Sequence, residues 1–96
     1  VNTTLTACAA DLKHPTVHLN GTSREALLDS YEQAGRAIDA ALLALSDASP
    51  NARDYYPQGD GAFQTAVAQH RARYDALWAV KLEIEALAEN LAEEAP

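Results

Sequence analysis

Residues 24–46 read REALLDSYEQAGRAIDAALLALS, and this stretch decides the fold. Leu27, Tyr31, Ala34, Ile38, Ala41 and Leu45 follow one another at alternating steps of 4 and 3. Such a repeat places them on one face of a helix packed nearly parallel to another. Leu28, Gly35 and Leu42 form a second stripe beside the first. Just upstream, Thr22-Ser23-Arg24-Glu25 fits a capping box, in which the Thr22 hydroxyl takes an N–H three residues on and Glu25 reaches back. Downstream, Pro50 forces an end, because the residue before a proline resists the α region. The first helix is therefore predicted over about 23–46.

A second repeat follows. Phe63, Val67, His70, Tyr74, Leu77, Val80, Ile84, Leu87 and Leu91 step by 4 and 3, with one slip at Leu77 to Val80. Asp60 is a fair N-cap for it, and no proline interrupts it. The second helix is predicted over about 62–94, with Trp78 off the seam on a flank. The fold class is all-α: a long antiparallel helical hairpin over 22–96, joined by a loop over 47–61. Residues 1–21 form an N-terminal arm, with an irregular tail, a short helical piece around 6–12, a weakly extended stretch over 16–19 and a turn at Asn20-Gly21.

The chain has 96 residues, so it is one domain at most. A chain of this size buries only about 60–65% of its unfolded surface, which leaves its own core marginal. At about 1.5 Å per residue the helices are roughly 36 and 50 Å long, so a simple hairpin leaves the end of the second overhanging by about 14 Å. That overhang carries Leu87 and Leu91, and two helices alone cannot cover both stripes of the first. The expectation is a bundle completed either by a second copy or by the N-terminal arm. A homodimer is favoured, with Leu28, Leu42, Trp78, Leu87 and Leu91 at its interface.

Fourteen acidic residues against seven basic ones give a net charge of −7, which disfavours naked nucleic acid as a partner. No window approaches the roughly 20 apolar residues of a membrane span. A single cysteine, Cys8, excludes an internal disulfide framework and fits a reducing cytoplasm. Leu5-Thr6-Ala7-Cys8 has the outline of a lipoprotein cleavage box but lacks the basic start and apolar stretch that accompany one, so it is read as ordinary chain.

Two segments stand out, His18-Leu19-Asn20-Gly21-Thr22 and 51–59, NARDYYPQG. Together they resemble a group of small uncharacterised proteins of bacteriophages and prophages, over about residues 16–92. The resemblance implies a phage accessory or virion-associated protein acting in a host cytoplasm or a particle. It implies no activity.

The loop is the most informative stretch for function. An antiparallel connector needs only about 2–8 residues, whereas this one runs from 47 to 61 and carries Asn51, Arg53, Tyr55, Tyr56 and Gln58. The tyrosines can stack on a base or an apolar partner, and Arg53 can clamp a phosphate or carboxylate. The bland alternative is that the tyrosines plug the end of the bundle. His18 and Asn20 precede a helix N-terminus, which suits an anion, although an ordinary turn and cap explains them as well. His14, His18 and His70 have no metal-ligand spacing, and no metal or cofactor is expected. His70 is expected to be a core histidine hydrogen-bonded to a neighbour such as Tyr31 or Tyr74. No carboxylate pair, phosphate loop or nucleophile elbow is present, so an enzyme is not expected. Three roles remain: a non-catalytic interaction protein with a protein partner, a sequestering binder of a small anionic ligand such as a nucleotide signal of host defence, and a minor structural component of a virion.

Overall fold

The computed structural model describes residues 12–93. The tail ahead of residue 12, with Cys8 and the helical piece expected around 6–12, lies outside the described residues, as do residues 94–96.

Two α-helices make up most of the structure, α1 (Arg24–Asp47) and α2 (Ala62–Glu93), and no strand occurs among the described residues. Both form where the 4-and-3 repeat predicts them. The start of α1 differs by one residue from the expected cap. Ser23, in an extended conformation, accepts the Ala26 N–H at 3.1 Å, and Glu25 lies in the first turn, where its charge complements the helix dipole. Thr22 is thus outside the helix and does not cap it. At α2 the Thr65 N–H bonds to the Gly61 carbonyl at 3.0 Å, so Gly61 stands immediately before the helix and Asp60 does not. Gly61 has a φ of 88°, a left-handed backbone that glycine adopts without the steric cost of a Cβ.

The connection is built rather than open. Two short 3₁₀ turns, Ala52–Asp54 and Tyr56–Gln58, fill it. Asn51 caps the first by accepting the Arg53 N–H at 3.1 Å. Gly59, with a φ of 103°, ends the second.

The helices are antiparallel, because Asp39 bonds to Lys81 while Ser49, farther along, meets His70. This register corrects the expected overhang. The start of α1 lies level with the end of α2, and it is about the first three turns of α2 that project beyond α1. The loop covers that projection by climbing along it, with Tyr55 against Phe63.

Only three apolar side chains are wholly buried among the described residues: Leu42 at 4% exposure, Ala66 at 8% and Leu91 at 0%. Leu42 and Leu91 are therefore core residues of a single chain and not the open interface positions expected of them. Leu28 and Leu87 are half-buried. On α1 Leu42 is buried where Ala41 is exposed, and near the start of α2 Ala66 is buried where Val67 is exposed. Leu42 belongs to the predicted second stripe and Leu91 to the predicted seam, whose other members are half-buried except Ala41, Val67 and Val80. In the arm, Leu12, Pro15 and Val17 are half-buried, so this part of it is packed.

Candidate functional site

The seven residues expected to bind a ligand or partner do not converge. His18 and Asn20 lie in a turn before α1, and the loop residues lie past its other end, roughly 36 Å away along the helix. The turn has a local explanation. The His18 carbonyl accepts the Gly21 N–H at 3.1 Å, and the His18 ring lies over Gly21 so closely that an added Cβ would be 2.8 Å from Nε2. Glycine is there because the ring occupies the space a side chain would need. His18, Leu19 and Asn20 are all exposed.

The loop residues divide. Asn51 spends its side-chain oxygen on the 3₁₀ turn. Tyr55 is half-buried with its ring tilted at 45° to Phe63 and the centroids 6.4 Å apart. Arg53 and Gln58 are exposed, and Tyr56 stands out at 73% exposure. One tyrosine plugs the end of the hairpin and the other is presented to solvent. A shallow cleft of about 450 Å³ beside the loop includes Tyr55, Gln58, Gly61 and Gln69.

A more defined groove, of about 380 Å³, lies on another flank of α2, where α1 ends. Ser46, Ser49 and Pro50 form one wall, and Val67, Arg71 and Tyr74 the other. None of the seven expected residues lines it. Here His70 meets Ser49, with Nε2 3.3 Å from Oγ, in place of the expected tyrosine partner. Ser49 also bonds to the Ser46 carbonyl at 2.6 Å. A serine hydroxyl has one proton, and the short contact to a carbonyl, which can only accept, takes it. His70 Nε2 must then donate to Ser49. An activated nucleophile needs the reverse, with the histidine accepting the serine proton. The pair fastens the end of α1 and the start of the loop onto α2. A Ser-x-x-Ser ahead of Pro50 is the sequence signal that could have located this contact.

Beyond the groove the same flank continues as an aromatic ladder. Tyr74 and Trp78 stack with their planes 12° apart and centroids 6.4 Å apart, and the Lys81 ammonium sits 4.8 Å from the Trp78 ring centre. Lys81 is held by Asp39, and Glu85 is 3.8 Å away. The hydrogen bond to Asp39, aided by the nearby carboxylate charges, holds the lysine above its ordinary value of 10.5. Val67, Trp78 and Leu82 on α2 and Leu43 on α1 remain exposed at 40%, 41%, 51% and 69%.

Among the described residues there is no cluster of histidine, cysteine and carboxylate groups suited to a metal ion. No described helix is long and apolar enough to cross a membrane. No family model matches this sequence, and no curated protein or solved structure matches it.

Proposed function

We propose that this chain is a non-catalytic interaction protein that assembles with copies of itself through helical packing and offers the tip of its loop to a protein partner. The observation that carries the reading is the flank of α2. With three wholly buried apolar side chains among its described residues, the hairpin leaves Val67, Trp78 and Leu82 exposed, and apolar side chains gathered on one side of a small fold mark an interaction surface. Tyr56 supports the second half of the reading, as an exposed aromatic on a loop that Tyr55 and Asn51 pin in place. The polarity of the Ser49–His70 contact speaks for a fastening role over a catalytic one. In the setting that the resemblance suggests, such a protein is a phage accessory factor in a host cytoplasm or a part of the particle.

A second reading draws on the groove. Arg71 has no ion-pair partner among the described residues and stands at the edge of a 380 Å³ space with Tyr74 as a wall. A small anionic ligand with a ring, such as a nucleotide signal, suits that chemistry.

Native mass spectrometry of the gently purified chain tests both. A bare oligomer supports the first reading. A species heavier than its chains by the mass of a small molecule moves the weight to the second. A bare monomer at every concentration overturns self-assembly.

A further inference from the structure

The exposed flank of α2 is self-complementary about Trp78. Arg71 lies seven residues before Trp78 and Glu85 seven after it; Asp75 lies three before and Lys81 three after; Tyr74 lies four before and Leu82 four after. At about 100° per residue all six project within roughly 60° of Trp78, so they share one stripe of the helix. Arg71 and Glu85 lie within about 20° of the Trp78 direction, so this basic and acidic pair sits at mirrored heights on the centre of the stripe, while Tyr74 and Lys81 share one side of it and Asp75 and Leu82 the other. A two-fold axis equates these positions, because in a symmetric pair residue i meets residue j while j meets i.

We propose that a second copy of this chain docks antiparallel along this stripe, α2 against α2, with the two-fold axis passing at Trp78. This rests on the self-assembly reading above and specifies its interface. Arg71 then faces Glu85 of the second copy, Tyr74 faces Lys81, and Trp78 meets its own mate. Leu82, exposed at 51%, meets the edge of the second copy's groove at Arg71 and Asp75. Leu43, exposed at 69%, lies near the level of Trp78 in the register set by Asp39 and Lys81, so the dimer covers it as well.

Charge selects this occupant. A chain of net charge −7 repels its copies over most of its surface. Between residues 70 and 82 it carries Arg71, Arg73 and Lys81 against Asp75 alone, so this is where like-charge repulsion is weakest. Lys81 keeps Asp39 as its own-chain partner and meets the Tyr74 ring of the other copy. Arg71, without an ion-pair partner among the described residues, gains one in Glu85.

Charge reversal is the test, read by sedimentation velocity on the full chain across a concentration series. Arg71→Glu and Glu85→Arg should each weaken the dimer at least about tenfold, because either change turns two attractive pairs into two repulsive ones. Arg71→Glu combined with Glu85→Arg should restore it. Both side chains are exposed, so circular dichroism should show an unchanged helix content in every variant. Trp78 is the single tryptophan, and its emission should shift to the blue as concentration rises and the ring is covered. A dimer that ignores both reversals and leaves the emission unchanged would place the interface elsewhere and overturn this inference while leaving self-assembly standing. Single and double variants that weaken alike would also overturn it, since the pairs would not be meeting. A chain that stays monomeric up to about 1 mM, where even a weak specific contact is populated, would remove both readings.

Discussion

Tyr55 and Tyr56 are neighbours in sequence with opposite environments, and the difference predicts opposite responses to truncation. Tyr55 rests on Phe63 and closes the loop end, so Tyr55→Ala should cost about 1–2 kcal/mol, below the range for a fully buried aromatic because the ring is only half covered. Tyr56→Ala removes a side chain that is 73% exposed and should change stability by less than about 0.5 kcal/mol. Urea unfolding followed by circular dichroism distinguishes them; equal losses would show that both rings plug the bundle. Lys81 gives a prediction in pH. Its pKa is raised in the folded chain, chiefly by the hydrogen bond to Asp39, so its contribution is fully present below the ordinary value of 10.5 and is lost as pH rises through the higher folded value. The melting temperature of the native sequence should therefore fall toward that of Asp39→Asn above pH 10.5, with the gap between them constant through neutral pH. A gap that widened in alkali would contradict the direction of the shift.

At the scale of the element, both helices were legible because their evidence is local. The 4-and-3 repeats set the extent of α1 and α2 to within a residue, and Pro50 and Gly61 mark the ends of the connection. The caps were less legible. Thr22 and Ser23 are both good cap residues, and which one is used depends on where the backbone leaves the extended region, a choice that composition does not make. The structure uses Ser23, so Ser23→Ala should cost about 1 kcal/mol and Thr22→Ala only a few tenths. The reverse order in thermal melts would restore the capping box at Thr22. Burial departs from the seam at Ala41 on α1 and at Val67 and Val80 on α2 for a related reason. A strict 3.5-residue repeat drifts around a helix whose turn takes about 3.6, so periodicity identifies an apolar sector and not its centre. Leu42 over Ala41, and Ala66 over Val67, are settled by what packs opposite: α1 against α2 along the hairpin, and the climbing loop at the projecting end.

The axial offset of the two helices belongs to the whole molecule and was not legible at all, because a repeat says which face packs and nothing about how far one helix slides along the other. The sequence expectation left Leu91 on an uncovered end; the pairing of Asp39 with Lys81 and Ser49 with His70 brings the start of α1 alongside it instead. The candidate site moved with the offset, since the groove between Ser49, Arg71 and Tyr74 exists only where the loop climbs beside α2. Leu91 and Leu82 are thus given opposite roles despite lying on the same helix, one at 0% exposure and the other at 51%. Leu91→Ala should cost about 2–4 kcal/mol at every protein concentration, because the cavity opens inside one chain. Leu82→Ala should leave the melting temperature of a dilute sample unchanged. At high concentration it should remove the rise that dimer formation confers, since a partner that binds only the folded state stabilises it by mass action. Calorimetry at two concentrations checks both. If Leu82→Ala lowers the dilute melting temperature as far as Leu91→Ala does, then Leu82 supports the single chain and the exposed stripe of α2 is not the contact between copies.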